Sequence, residues 1–493
     1  MSDTVPADKR YPRIGSMRSV EAFREYFQGF LPELEVDERI LTSAESPLAA
    51  PIEFDGLRIG NRFTIHPMEG WDGTTDGRPS ELTLARWRNF GLSGAKLIWG
   101  GEAVAVRADG RANPNQLCYS EAAVQGLSEL RTTLLDAHRE RFGSTDDLVV
   151  GLQLTHSGRF ARPDKKTEPK PRVAYRHPIL DPRVGADDAS VLSDAELGEL
   201  VECFAKAAKS AHEIGYDFVD IKHCHGYLLH EFLSAHRRPG PYGGSFENRT
   251  RLLRELVAAV RAAAPGLEIG IRLSIFDMIP FRPDPAKSSP GAPGPGIPED
   301  YETPYRWGFG VQEDAPTEPE LDEGRKLLKL IESLGIRLVN LSGGSPYYNP
   351  HMQRPALYPP SDGYQPPEDP TEGVVRHLRI CRDLKREFPS LVTIGSALSY
   401  LQDYFPQVSQ SLVREGWMDS VGLGRMVLSY WDLPADCLEK GELARKKVCR
   451  TFSDCTTAPR NGIVSGCYPL DPRYRAMPEA ADLRAIKQAK DGS

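Results

Sequence analysis

The chain has no surplus of basic residues, no long apolar run and few cysteines. Its 61 Lys and Arg are outnumbered by 69 Asp and Glu, which gives a net charge of −8 over 493 residues. This balance argues against nucleic acid and anionic membranes as partners, because both favour basic surfaces. No apolar run reaches the ~18 residues of a membrane-spanning helix, and the start, MSDTVPADKRYPRIGS, lacks a signal-peptide core. We therefore expect a cytoplasmic protein whose eight cysteines are mostly reduced.

Short apolar runs alternate with longer amphipathic segments. This alternation is typical of parallel strands joined by crossover helices, and eight such units predict an α/β fold, a (β/α)8 TIM barrel, with an open doubly wound sheet as the alternative. Most runs end in polar or glycine-rich text such as QLTHSGR and KHCHGY, which favours the closed barrel, because barrels carry functional groups at the C-terminal strand ends. The predicted strands span 63–67, 97–101, 148–154, 217–222, 268–274, 336–342, 391–396 and 419–424. The predicted helices include 193–214, 246–264, 320–334, 372–388 and 398–415.

Two stretches rich in Pro and Gly, 281–316 and 345–370, follow the fifth and sixth predicted strands. We expect long irregular loops there, and loops of this length are usually lids or binding loops. Their aromatic side chains either line a substrate pocket or pack on the surface. They are Tyr301, Tyr305, Trp307, Phe309, Tyr347 and Tyr348.

Six motifs carry a family resemblance. GNRFTIHPMEG, QLTHSGR, GYDFVDIKHCHGYLLHEFLS, YGGSFENR, IGIRLS and GLGR occur in that order, and together they resemble the old yellow enzyme family of flavin-dependent oxidoreductases. The resemblance implies a barrel that binds FMN noncovalently, is reduced by NADH or NADPH, and transfers hydride from flavin N5 to an activated C=C bond of a small-molecule substrate. It divides the chain into an N-terminal extension (1–50), an FMN-binding barrel (51–435) and a tail (436–493).

Five residues are candidates for the flavin ring. The ring needs hydrogen-bond partners along its pyrimidine edge and positive charge near N1. Gln153 and Arg272, at the ends of the third and fifth predicted strands, offer an amide and a permanent cation, and the family places the same residue types at the matching positions. By resemblance, the backbone around Pro67, Met68 and Gly101 flanks the ring.

Four residues are candidates for the FMN phosphate. A phosphate needs backbone N–H donors and a cation, and many barrels supply them after strands seven and eight. Gly395-Ser396 and Gly424-Arg425 follow the seventh and eighth predicted strands.

The fourth predicted strand ends in the candidate catalytic groups. Side chains alternate along a strand, so Lys222 points into the barrel mouth if Ile221 faces the helices. The family pattern of His, two residues, Asn or His, Gly and Tyr falls on Lys222, His225, Gly226 and Tyr227. The resemblance implies that the first two donate hydrogen bonds to the substrate carbonyl. It also implies that Tyr227 gives a proton to the α-carbon.

Two residues depart from the family pattern. Lys222 replaces the first histidine, and because an ammonium favours a full negative charge, a carboxylate or phenolate-like substrate is predicted, unless Lys222 only pairs with an acid. Glu69 stands where the family commonly has Thr or Cys beside flavin C4=O and N5, and it is the candidate partner of Lys222. An ionised Glu69 would lower the flavin potential, whereas a protonated one would be a general acid. The sequence leaves both states open.

The cysteines near the C-terminus resemble a degenerate iron–sulfur segment. Larger relatives, resembling trimethylamine dehydrogenase and 2,4-dienoyl-CoA reductase, continue with C-x2-C-x3-C-x11-C around a [4Fe–4S] cluster. Cys455 and Cys467 keep the last spacing, but Cys449 is displaced and Thr451 stands where a ligand belongs. Cys437 is a conceivable fourth ligand without a local CxxC. A cluster wants four thiolates, so we predict none.

Three alternatives stay open at this point. The first is a flavin enzyme of the opposite sense: a dehydrogenase, demethylase or isomerase of a small polar metabolite. The second is a zinc site at His223, Cys224 and His225. Zinc needs a further ligand beyond these, and the Gly-Tyr sequence that follows explains His225 better. The third concerns residues 1–50, which form an arm that packs either on the barrel or on a second subunit of a homo-oligomer.

Overall fold

The computed structural model describes residues 10–491, and these residues form a closed eight-stranded parallel barrel. The first strand pairs with the second and the eighth, the second pairs with the third, and each later strand pairs with the next. The predicted (β/α)8 fold is therefore confirmed. Residues 1–9 and 492–493, parts of the two predicted terminal segments, lie outside the described residues. The strands are β1 (Phe63–Ile65), β2 (Leu97–Ile98), β3 (Val149–Thr155), β4 (Phe218–Ile221), β5 (Glu268–Phe276), β6 (Leu338–Gly343), β7 (Val392–Gly395) and β8 (Ser420–Leu423).

Seven regular helices surround the barrel, each following one strand. Ser193 caps the third helix and accepts a hydrogen bond from the backbone N–H of Glu196, as its position before an amphipathic run predicts. Directly after β8 the chain makes three short helical turns, at Arg425–Leu428, Leu433–Ala435 and Asp436–Lys440. No helix of the described chain has the length and apolar content to cross a bilayer. The helices are α1 (Glu81–Gly91), α2 (Val124–Phe142), α3 (Asp194–Ile214), α4 (Arg251–Ala263), α5 (Asp322–Ser333), α6 (Pro370–Glu387) and α7 (Phe405–Arg414).

The described part of the N-terminal extension packs on the barrel. Its helix, Val20–Gln28, buries Phe23 and Phe27 completely. The Phe23 ring stacks on Tyr404 with centroids 4.2 Å apart, and the Tyr26 hydroxyl donates to the carboxylate of Asp369 at 2.8 Å. The sequence left open whether this segment packs on its own barrel or on a second subunit. In the structure it contacts its own barrel.

The two long loops contain more structure than their composition predicts. In the loop after β5, Phe281–Pro283 pairs antiparallel with Gly296–Pro298, so the prediction of an entirely irregular segment is wrong. Strands of three residues bounded by proline are too short to show an alternation of apolar and polar residues in the sequence. The loop after β6 contains a short helix, Pro350–Gln353. A further short strand, Ala103–Ala105, pairs with β3.

The tail lies against loops at the C-terminal side of the barrel. The Ser453 hydroxyl donates to the carbonyl of Tyr358 at 2.6 Å, and the Lys166 ammonium donates to the carbonyl of Gly462 at 2.9 Å. These contacts bring the tail helix Asp454–Arg460 to the side of the barrel where the strands end. Two more helices follow, Pro472–Arg475 and Glu479–Asp491.

Candidate active site

A cavity with an empty volume of about 1100 Å³ opens at the C-terminal ends of the strands. Two predicted cofactor residues lie behind its wall: a Cβ at Gly101 would lie 2.6 Å from Trp87, and one at Gly395 would lie 2.5 Å from Met418. The carbonyl of Gly101 still holds the β1 loop by accepting the N–H of Met68 at 3.0 Å. The predicted residues on the wall are Pro67, Met68, Glu69, Gln153, Lys222, His225, Arg272, Ser396, Gly424 and Arg425.

Lys222 and Glu69 form an ion pair in this cavity. Lys222 Nζ lies 2.5 Å from Glu69 Oε1 and 4.0 Å from the ring centroid of Tyr227. The Lys222 side chain is 3% exposed and that of Glu69 is 19% exposed. On the same face of β4, Asp220 is buried inside the barrel and accepts from Trp99 Nε1 at 2.8 Å. The strand face predicted for Lys222 is therefore correct, and its charge is matched by an acid.

Two tyrosine hydroxyls extend this pair into a chain. Tyr227 donates to Glu69 Oε2 at 2.8 Å, and the hydroxyls of Tyr227 and Tyr347 are 2.9 Å apart. A hydroxyl carries one proton, so Tyr347 donates to Tyr227. Burial, and then the Glu69 carboxylate, raise the pKa of Tyr227, which keeps the phenol protonated. Tyr347 lies on the wall, whereas Tyr227 is only 1% exposed and lies one layer behind it.

A left-handed turn after β4 carries the residues between Lys222 and Tyr227. His225 and Gly226 have φ values of 67° and 75°. At Gly226 a Cβ would lie 2.8 Å from the ring of Tyr348, so glycine is required for space as well as for conformation. Burial, and then Arg272, lower the pKa of His225 well below its usual value. The His225 imidazole on the wall is therefore neutral.

Gln153 and Arg272 present unsatisfied polar atoms in a buried place. Gln153 Nε2 donates to Asp220 Oδ2 at 2.5 Å, while Gln153 Oε1 and Arg272 Nε are buried without a partner. Burial lowers the pKa of Arg272, so its charge is held at a cost. An amide oxygen and a guanidinium N–H without partners on one wall fit a heterocycle that offers both donors and acceptors.

Two half-buried arginines lie close together on the wall of the cavity. Arg425 Nη2 donates to the carbonyl of Pro355 at 2.9 Å, but Arg425 Nη1 and Arg354 Nη2 are buried without partners. Burial, and then the nearby charge of Arg425, lower the pKa of Arg354 to about 10. Such a pair is unfavourable alone, and a dianion would satisfy both groups. Sequence reasoning missed Arg354, because it lies in a loop without periodicity.

A buried charge cluster supports the Glu69 loop from behind. Arg86 contacts Asp72 at 2.6 Å and Glu102 at 2.6 Å, and Glu102 Oε1 accepts the N–H of Gly70 at 2.8 Å. Burial raises the pKa of Glu102 to about 7, although Arg86 opposes the shift. A single guanidinium thus serves two carboxylates, and Glu102 is the one that takes up a proton.

The pH dependence of unfolding is expected to reveal Glu102. Its pKa in the folded protein lies above the ordinary value of 4.5, so its contribution to stability is full below that value and is lost as the pH rises through about 7. The loss is on the order of 3 kcal/mol. Urea unfolding of the wild type and of Glu102→Gln at pH 5 and pH 8 measures it. The free energy of unfolding of Glu102→Gln, relative to that of the wild type, should be higher at pH 8 than at pH 5. The same relative value at both pH values would contradict the raised pKa of Glu102.

Three tail cysteines gather beside the main cavity. Cys449, Cys455 and Cys467 line one small cavity, and Cys455 also lies on the wall of the main one. Burial raises the pKa of Cys449, which keeps its thiol neutral. Within residues 10–491 no group of three or more His, Cys, Asp and Glu side chains is placed to hold a metal ion.

Fold and cavity together define a (β/α)8 barrel protein with a polar site at the strand C-termini. The family model described as NADH:flavin oxidoreductase / NADH oxidase matches residues 47–285. An NADPH dehydrogenase of Geobacillus sp. is 31% identical over 242 residues, covering 48% of this chain and 65% of the relative. Over residues 47–285 the chain is therefore similar to this family of flavin oxidoreductases.

Solved structures show the same fold. The old yellow enzyme homologue from Zymomonas mobilis superposes with a TM-score of 0.54 at 21% identity, covering 82% of this chain and 96% of that protein. A complex of 2-naphthoyl-CoA reductase gives a TM-score of 0.62 at 16% identity, covering 87% of this chain and 57% of that protein.

Proposed function

We propose that the protein is an FMN-dependent oxidoreductase that takes electrons from NADH or NADPH and reduces an activated C=C bond of a small polar or anionic substrate. One observation carries this proposal: four buried polar atoms without partners belong to residues on the wall of a single cavity at the strand ends. They belong to Gln153, Arg272, Arg354 and Arg425. The similarity of residues 47–285 to flavin oxidoreductases supports the choice of a flavin as the group that satisfies them.

The residues divide into a ring end and a phosphate end. Gln153 and Arg272 would hold the flavin ring, and Arg354, Arg425 and Ser396 would hold the phosphate. When bound, FMN supplies hydride transfer. His225 Nε2 contacts Ser342 Oγ at 3.1 Å, and the neutral imidazole would exchange this contact for a substrate carbonyl. A hydrogen bond donated to the carbonyl would stabilise negative charge on its oxygen.

The chain of hydroxyls supplies the proton for reduction. Tyr347 faces the cavity and is hydrogen-bonded to Tyr227, which in turn contacts Glu69. One of these phenols gives its proton to the substrate α-carbon. The phenol then regains a proton from its neighbour in the hydrogen-bonded chain. Lys222 keeps the negative charge of Glu69 compensated while this happens.

The direction of the Tyr227 hydrogen bond favours a second candidate. Because the Tyr227 hydroxyl donates its hydrogen bond to Glu69, the resting chain is oriented to accept a proton from the cavity through Tyr347. That orientation suits the dehydrogenation of an alcohol, amine or phenol, in which the substrate loses a proton as it loses hydride. Mixing oxidised enzyme with such substrates, and NAD(P)H-reduced enzyme with conjugated enones, would separate the two by which mixture changes the flavin absorbance.

The first experiment is to release and identify the cofactor. Purified protein should show the visible absorbance of an oxidised flavin, and chromatography after denaturation should identify FMN. The absorbance should bleach with NADH or NADPH and return on adding an acceptor alkene. Bound FAD, or a colourless protein that does not take up FMN, would refute the proposal.

Lys222→Met is expected to lower the reduction potential of the bound flavin. The substitution leaves the Glu69 carboxylate uncompensated, and this charge opposes the addition of electrons to a nearby ring. Spectroscopic redox titration of the two proteins under the same conditions measures the effect.

The double variant Lys222→Met/Glu69→Gln is the control for this experiment. It carries neither charge, so its potential should return toward that of the wild type, in which the two charges compensate each other. Identical potentials in wild type and Lys222→Met would mean that the ion pair lies too far from the flavin to influence it.

A further inference from the structure

The cavity carries more positive charge than a flavin requires. Five cationic side chains and one carboxylate belong to the described residues of its wall: Lys222, Arg272, Arg354, Arg425, Arg460 and Glu69. Lys222 is compensated by Glu69, and the proposed FMN site engages the other arginines of the barrel. Arg460, supplied by the tail, is the remaining cation on the wall.

Arg460 is held beside the proton chain. Its guanidinium carbon lies 4.5 Å from the ring centroid of Tyr347. Nη2 donates to the carbonyl of Pro346 at 3.4 Å, and Nε lies 3.2 Å from Asp362 Oδ2. The Arg460 side chain is 11% exposed, whereas that of Asp362 is 51% exposed. These contacts use two of the five guanidinium N–H groups, and the partner acid is screened by solvent.

We propose that Arg460 binds a carboxylate of the substrate. This inference rests on the oxidoreductase function proposed above and deepens it. A guanidinium stacked on an aromatic ring has a fixed plane, which matches the two oxygens of a carboxylate. The stacking on Tyr347 sets this anchor next to the hydroxyl that faces the cavity. The substrate class is therefore a small unsaturated or aromatic carboxylic acid.

A matched pair of ligands tests the anchor. 4-Hydroxybenzoate and 4-hydroxybenzamide have nearly the same shape and differ in charge, and both offer a phenol to Lys222 and His225. Their dissociation constants for FMN-loaded enzyme are measured by calorimetry and by the change in flavin absorbance. Arg460→Gln should weaken 4-hydroxybenzoate about 10- to 150-fold, the range for hydrogen bonds to charged groups, and leave 4-hydroxybenzamide nearly unchanged.

Asp362→Asn is the companion variant with an effect of opposite sign. It removes the acid that competes for Arg460, so 4-hydroxybenzoate should bind more tightly and 4-hydroxybenzamide should not. Arg460→Lys keeps the charge but lacks the planar guanidinium. Its affinity for 4-hydroxybenzoate should lie between those of wild type and Arg460→Gln.

Several outcomes would overturn the anchor. An equal loss for both ligands in Arg460→Gln would assign Arg460 to holding the tail, and no loss for either would place it away from the ligand. A rise in KM for NADH or NADPH without discrimination between the ligands would assign Arg460 to the reductant. Weaker 4-hydroxybenzoate binding in Asp362→Asn would also refute it. Failure of the underlying function is recognised separately, because the flavin absorbance is recorded before any ligand is added.

Discussion

Tyr227→Phe should slow the reoxidation of reduced enzyme by its alkene substrate about 10²–10⁴-fold, the usual range for losing a general acid. The variant lacks the hydroxyl that contacts both Glu69 and Tyr347, so the proton for the α-carbon is neither supplied nor replaced. Reduction of the flavin by NADH or NADPH needs no such proton and should be nearly unchanged. Stopped-flow absorbance of the two half-reactions measures both rates.

Tyr347→Phe shows which phenol meets the substrate. Because Tyr347 lies on the wall and Tyr227 lies behind it, a proton that passes through Tyr347 makes both variants slow. If Tyr227 turns into the cavity and delivers the proton itself, only Tyr227→Phe is slow. Tyr216→Phe is the matched control, since Tyr216 is buried and donates to the carbonyl of Leu127 away from the cavity. Wild-type reoxidation rates in all the variants would remove the hydroxyl chain from the mechanism.

Loss of either Arg425 or Arg354 should release FMN from the proposed site. Arg425→Met and Arg354→Met each remove a cation that faces the proposed phosphate, and truncating one partner of a buried charge pair costs roughly 2–5 kcal/mol. This corresponds to a dissociation constant raised about 30- to 4000-fold. The recovery of flavin fluorescence on dilution of the holoenzyme measures it.

Riboflavin, which lacks the phosphate, is the matched ligand for this measurement. Its affinity should barely differ between wild type and the two variants, because the ring contacts through Gln153 and Arg272 are retained. Arg414→Met removes a half-exposed arginine that pairs with Asp37 on the outer surface and should leave FMN binding intact. A parallel loss of riboflavin would mean that the arginines hold the loops rather than the phosphate.

The sequence predicted the barrel and the face of Lys222 because both depend on local periodicity. Each apolar run lies on its own strand, and alternation along β4 is enough to set Lys222 inside if Ile221 faces out. The pairing of Lys222 with Glu69 was predictable only as one of two outcomes. These residues are 153 positions apart, and their contact depends on how β1 and β4 meet across the barrel mouth.

The residues that the sequence did not single out for the site come from segments without a repeat. Tyr347 and Arg354 belong to the loop after β6, and Arg460 belongs to the tail. The spacing of these residues does not predict where their side chains point, because loops and tails lack the regular periodicity of a helix or strand. The one signal available was composition: two long loops with six aromatic residues. It left pocket lining and surface packing equally open and could not choose among the six candidates.

The wall formed by the tail has a consequence for biosynthesis. A ribosome delivers the chain from the N-terminus, so all eight strands emerge before Cys455, Thr456 and Arg460, which complete the cavity. A nascent barrel that already contains Gln153 and Arg272 still lacks the side of the cavity that the tail forms. Cofactor that enters early would meet an open cleft, from which it leaves easily. A cofactor in the proposed site would therefore be fully enclosed only after the tail has been translated and has packed against the loops.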